Sequence, residues 1–196
     1  MKDFESFLPE NYEQIEKIPN GIFVNVLGLL LFIILGALFG LLYFTIWGDF
    51  GIVFNHNIPI MVGIFNSIVT VSVLLGFLLL HETIHGIFWS KYTDVKVGII
   101  LNSLYRFLYC NEPIKVGHYI NGLIMPSLIL GIIPLIIGLI FGSIFVYGFG
   151  LLFIIAGADD FYIIYQLGKE DRKGFIRDMD KKIGIIIYKH KKENNE

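Results

Sequence analysis

His81-Glu82-Thr83-Ile84-His85 decides how this chain is read. The five residues close an apolar run that begins near Ile60 and ends Val-Ser-Val-Leu-Leu-Gly-Phe-Leu-Leu-Leu. If the run is a helix, His81 and His85 are i and i+4, with their imidazoles one turn apart on one face. Two neutral imidazoles so placed can hold one zinc ion. Glu82 points about 100° away around the helix, toward a water at the metal rather than the metal itself. This is the HExxH arrangement of two ligands and a general base.

The setting strengthens the motif. Charged side chains at a bilayer centre cost about 2.5–3.5 kcal/mol each on insertion scales, so ionisable residues inside a spanning helix point to function. Zinc binding offsets such a cost, because structural zinc sites contribute about 10–16 kcal/mol in small peptides. The plain alternative is a polar cluster hydrogen-bonded to a neighbouring helix without metal.

The composition places this cluster in a membrane. The 196 residues are 55% apolar and only 16% charged, and mean hydropathy is +0.70. These values mark a polytopic membrane protein with the bilayer as its solvent. A single cysteine, Cys110, rules out an intrachain disulfide and any cysteine-rich zinc module. No nucleic-acid motif is present, and the basic residues of the tail interleave with acids. Five acids among the first twenty residues argue against a cleavable signal.

Outward from the motif, the chain reads as an all-α membrane protein with four spans. Residues 1–20 form a polar N-terminal tail, with Glu10 to Ile18 as a short surface helix. Residues 21–167 form the membrane unit, and 168–196 a charged C-terminal tail. Gly21 to Trp47 is the first span. Its Gly36-xxx-Gly40 pair allows close helix approach, and Tyr43 and Trp47 suit an interfacial belt. Ile60 to Ser90 is the second span. Val95 to Leu101 and Tyr105 to Cys110 are β-prone, and Asn111-Glu112-Pro113 reads as a turn, so a small hairpin or re-entrant element lies between the second and third spans. Ile120 to Phe141 is the third span, kinked or interrupted by Pro126 and Pro134. Ile144 to Leu167 is the fourth, after the short Gly142-Ser143 connection. In the tail, Ile183 to Tyr188 is apolar enough to pack back on the body.

Charge orients the spans. Two Lys or Arg lie in the N-terminal tail, four in 91–119 and nine in the C-terminal tail, with none in 48–59 or 142–143. The positive-inside rule then puts both termini in the cytoplasm. It also fixes depth. His81 precedes Lys91 by ten residues and Asp160 precedes Lys169 by nine, so both lie roughly 13–15 Å from the same boundary. A catalytic zinc takes three protein ligands and keeps one open position. Asp160 is the favoured third ligand, with Asp159 as the alternative or as a partner to it. His56, His118, His190 and Cys110 are weaker candidates, and Asn121 and Asn102 are possible hydrogen-bond donors to substrate.

The expected chemistry is hydrolysis of a peptide bond in a membrane-associated protein or peptide. Water activated by Zn2+ attacks, Glu82 takes its proton, and an extended substrate pairs with an edge of the 95–110 element.

The polar N-terminal tail, His81-Glu82-x-x-His85, Lys96-Val97-Gly98, Tyr109-Cys110, Pro126 and Gly157-Ala158-Asp159-Asp160 together resemble the zincin peptidase family of small bacterial and archaeal membrane proteins. The likeness runs over most of residues 5–170. That family is distantly similar to the site-2 protease group, in which an HExxH helix and an aspartate on a later helix bind zinc. The resemblance implies ligand roles for His81 and His85, a base role for Glu82 and a ligand role for Asp160. Two other classes compete: a transporter or proton/metal relay built on the same cluster, and an inactive zinc-binding adaptor. A relay needs a polar path to both sides. Span two offers Asn66, Ser67, Thr70 and Ser72 for it, while span four offers only Ser143 and Tyr147.

Overall fold

Asn20 starts the first long helix. Its side-chain oxygen accepts hydrogen bonds from the backbone N–H groups of Ile22 at 3.1 Å and Phe23 at 3.3 Å, satisfying two donors that a helix start leaves open. The structure is a computed structural model, described here for residues 12–50, 59–102, 104–110, 112–172, 174–179 and 184–190. Helix α1 is Gly21–Trp47 and α2 is Ile60–Trp89. The third helical stretch joins α3 (Val116–Pro126), a π-helical turn (Ser127–Ile132) and α4 (Ile133–Phe141). Last come α5 (Ile144–Ala156) and α6 (Ala158–Leu167), bent by 45° where they meet. Three stretches are long and apolar enough to cross a membrane, and the bent pair makes a fourth if it counts as one span. Side chains such as Leu29, Ile33, Phe65 and Val71 are exposed on α1 and α2, as lipid-facing residues are.

The interruption expected at Pro126 is a π turn directly after it. Pro126 has no N–H to give to the ladder, and the helix widens to recover its bonds. Behind it, α4 and α5 form a tight antiparallel hairpin. Gly142 turns the corner with φ +67°, a conformation that glycine adopts without a steric penalty. A Cβ on Gly138 would overlap the Tyr147 backbone, and one on Gly150 would overlap the backbones of Leu135 and Gly131. The close approach expected at Gly36 and Gly40 is not made there: a Cβ on either would meet nothing within 4 Å.

α1 is fastened to this hairpin by side-chain donors. Tyr147 gives its hydroxyl proton to the Phe39 carbonyl and Tyr43 to the Gly142 carbonyl, both at 2.6 Å. Trp47 Nε1 donates to the Leu139 carbonyl at 2.9 Å. Tyr43, expected in an interfacial belt, turns its ring into the protein. It is 2% exposed and packs on Tyr147, because its hydroxyl has a protein acceptor.

Two sheets complete the fold. β2 (Val95–Asn102) and β3 (Leu104–Cys110) pair antiparallel, which is the hairpin expected between the second and third spans. The other sheet has the order β1-β6-β5-β4, from β1 (Tyr12–Lys17), β6 (Ile185–His190), β5 (Phe175–Asp178) and β4 (Ile114–Lys115). The helix expected over Glu10 to Ile18 is thus a strand from Tyr12 to Lys17. Ile15 pairs with Ile187, so a distant strand overrides a weak local preference. The segments before α1 and after α6 meet at one end of the molecule. There Ile176, Ile185 and Ile187 join a core with Trp89, Tyr119, Leu123, Ile163 and Leu167. Glu170, just past α6, pairs with Lys17 at 2.8 Å and Lys189 at 2.5 Å, riveting β1 and β6 to the helix end.

Candidate metal centre

The last turns of α2 and the first turn of α6 face each other inside the protein. His81 and His85, one turn apart, hold their ring centroids 4.9 Å apart and nearly perpendicular. Asp160 meets both. Its Oδ2 lies 3.1 Å from His81 Nε2 and 3.3 Å from His85 Nε2. All three residues are buried, and their three ligand atoms lie within 4.8 Å of one another. The bend at Gly157 makes this meeting possible by redirecting the chain just before Asp160. A side chain at Gly157 would run into Ser127 Oγ. The carboxylates of Asp159 and Asp160 also occupy the first turn of α6, where the helix dipole favours negative charge.

The tautomer of His85 follows from its second nitrogen. Nδ1 lies 2.9 Å from the Gly122 carbonyl oxygen, which can only accept, so Nδ1 carries the proton. In the neutral ring Nε2 is then a bare lone pair aimed at a carboxylate oxygen. A proton on Nε2 or a metal ion between the two groups resolves two lone pairs that face one another. Gly122 is available because the residue one turn on is Pro126, which has no N–H for it. The next N–H, that of Ser127, goes to Ile124.

Trp89 braces the same histidine. Its indole stacks on His85 with centroids 5.1 Å apart and planes 12° apart. It fits because position 122 is glycine: a Cβ there would overlap the indole. On the other side the β2–β3 hairpin leans on α2 through Leu108, which lies against Gly86.

Two imidazole nitrogens and one carboxylate oxygen, buried and convergent, suit zinc. Among the described residues His81 Nδ1 and Ser127 Oγ are buried without a hydrogen-bond partner. With its proton on Nδ1, His81 also presents Nε2 as a lone pair toward the same point. Glu82 and Asp159 are half-buried neighbours that stand outside the three-residue group.

The remaining candidates lie elsewhere. His118 stacks on Tyr92 at 3.8 Å. Cys110 is buried in the hydrophobic core, Asn121 is exposed, and Asn102 and His190 belong to strands β2 and β6. His56 lies outside the described residues. Gly122 and Ser127 escaped notice in the sequence. A proline four residues after a glycine in a spanning helix was the one available sign, since it marks a freed carbonyl.

A family model described as "Putative zincin peptidase" matches residues 74–173, from the middle of α2 to just past α6. The chain belongs to that family. The zincin peptidase match spans α2 from Leu74 onward, the hairpin, α3 to α6 and every residue of the His81, His85 and Asp160 group. No curated protein and no solved structure matches the chain.

Proposed function

We propose that this chain is a zinc-dependent metallopeptidase acting within or at the face of a membrane. The observation that carries the reading is the convergence of His81 Nε2 and His85 Nε2 on the single oxygen Oδ2 of Asp160. Family membership supports the same class of chemistry. His81, His85 and Asp160 would hold the ion, which when bound supplies positive charge that acidifies water and polarises a carbonyl.

The protein's own groups do the rest. Glu82, adjacent to the ligand His81, accepts a proton from the attacking water and returns it to the leaving amine as the C–N bond breaks. The Gly122 carbonyl and the Trp89 ring keep His85 in one orientation and one tautomer. Burial excludes bulk water, so the electrostatic interactions of the site act at low dielectric. The substrate is a membrane-associated protein or peptide in extended form, paired with an outer edge of the two-stranded β2–β3 sheet. The basic tails and the 91–119 connection face the cytoplasm, with the site opening to that side.

The relay reading is disfavoured by the hydroxyls of α2. Ser67, Thr70 and Ser72 each donate to the carbonyl four residues back, so these protons are spent within the helix. The deciding experiment is the metal content of detergent-purified protein, with wild type beside His85→Ala and Asp160→Ala. One zinc per chain in wild type, lost in both variants, is the expected result. No zinc in wild type after zinc is supplied overturns the reading.

A further inference from the structure

Asp178 is a fully buried carboxylate in β5, on the C-terminal side of the family match. Its Oδ1 accepts a hydrogen bond from the Tyr119 hydroxyl at 2.6 Å. Its Oδ2 accepts one from the Cys110 backbone N–H at 2.8 Å. One side chain of the tail therefore grips both the end of the β2–β3 hairpin and the first turns of α3. Such a burial is stable only while both oxygens stay bonded.

The grip continues inward. The Tyr119 carbonyl accepts from Trp89 Nε1 at 3.1 Å, and the two rings stack with centroids 4.9 Å apart. Trp89 stacks in turn on His85. Gly122, one turn beyond Tyr119, accepts the His85 Nδ1 proton. Among the described residues, the stacking ring and the backbone acceptor that orient His85 from behind come from Trp89 and from α3, and Asp178 grips α3 through Tyr119. The face of β5 that carries Asp178 also carries Ile176 into the core, while Arg177 on the opposite face donates to the Tyr188 hydroxyl at 2.9 Å.

We propose that Asp178 is a positioning residue for His85, acting through Tyr119 and Trp89, and that the tail sheet is a working part of the metal centre. This rests on the metallopeptidase reading only in so far as His85 is a ligand. Asparagine at 178 keeps an acceptor oxygen for the Cys110 N–H but turns an amide N–H toward the Tyr119 hydroxyl, which then accepts instead of donating and loses its charged acceptor. Removing a group that orients a ligand lowers metal affinity by about 10–100-fold.

The test uses full-length protein with Trp47→Phe, leaving Trp89 as the one tryptophan. Zinc affinity is measured by chelator competition, and Trp89 emission is recorded in the metal-free protein. Asp178→Asn and Tyr119→Phe should each weaken zinc about tenfold or more and move Trp89 emission to longer wavelength as its cage loosens. The double variant should be little worse than either single one, because both break one chain of contacts. Arg177→Met alters the same strand on its outer face and should leave both readouts as in wild type. Tyr119→Phe keeps the Asp178 carboxylate and its Cys110 bond, so it serves if Asp178→Asn does not fold. The proposal is overturned if Asp178→Asn and Tyr119→Phe fold with zinc affinity and emission unchanged, or if Arg177→Met weakens zinc equally. Should wild type bind no zinc, the functional reading fails by itself. The emission of the metal-free variants then decides the role of Asp178: a red shift in Asp178→Asn but not Arg177→Met upholds it, and no difference overturns it.

Discussion

The Gly122 carbonyl accepts the Nδ1 proton of His85 at 2.9 Å, and it is free to do so because Pro126, one turn further on, has no N–H to give it. A helix defect and the tautomer of His85 are thereby one feature. Alanine at 126 restores a backbone donor to Gly122. A carbonyl has two lone pairs, so the His85 bond is weakened rather than lost. We expect Pro126→Ala to lower zinc affinity about tenfold while raising resistance to unfolding, since proline inside a helix costs about 3 kcal/mol. Chelator competition and a denaturant titration on the same sample separate the two effects. Unchanged affinity would remove Pro126 from the site.

Glu82 sits beside His81 without joining the three-residue group. Glu82→Gln should keep one zinc per chain and lose about 100–10,000-fold in turnover, the usual contribution of a positioned base. Zinc content beside cleavage of a membrane-anchored peptide is the measurement. Turnover that survives the change would assign the base elsewhere.

Glycines that look alike in the sequence differ in their surroundings. Gly150 faces the backbones of Leu135 and Gly131, which cannot swing aside, whereas Gly36 faces open space. Gly150→Ala should destabilise by about 1–3 kcal/mol through overpacking. Gly36→Ala should be neutral or stabilising by up to about 1 kcal/mol, because alanine is the better helix former. Unfolding midpoints in mixed micelles give the comparison, and equal midpoints would contradict the close α4–α5 packing.

Glu170 ties the tail sheet to the end of α6. Burial alone would raise its carboxyl, but hydrogen bonds and charge from Lys17 and Lys189 outweigh it and hold the group below the ordinary carboxylate range. A depressed folded value stabilises above the unfolded value of about 4.3 and loses that contribution as pH falls through the folded one. Acid should therefore loosen β1 and β6 below about pH 4. Glu170→Gln should loosen them at neutral pH and flatten the acid response. Hydrogen exchange of the 12–17 and 185–190 amides follows both, and an identical acid response in the variant would deny Glu170 this role.

Much of the fold is legible from local pattern. The apolar stretches at 21–47 and 60–89, the hairpin between spans two and three, and the break at Pro126 all follow from runs, turns and missing donors. The tail sheet is not legible in that way. Tyr12-Glu13-Gln14-Ile15-Glu16-Lys17 has polar residues at helical as well as extended spacing, and becomes a strand only because Ile185 to His190 lies beside it. The burial of Tyr43 is hidden for a related reason. An aromatic near the end of a span suits an interface, and only the neighbouring Gly142 carbonyl makes it a buried donor.

The sequence by itself determined the element of the site that is local: His81 and His85 one turn apart on a membrane-length helix, with Glu82 between them. Helical periodicity fixes that arrangement wherever the helix goes. Counting residues from the basic boundary also put Asp159 and Asp160 level with the histidines, and Asp160 does meet both of them. Only the tertiary structure decided which of the two faces the histidines, because adjacent helical residues point about 100° apart and the bend at Gly157 sets the rotation. It alone decided that Gly122, Trp89 and Asp178 stand behind His85. Those contacts join segments far apart in the chain, and no local period records which carbonyl or ring will lie across an interface.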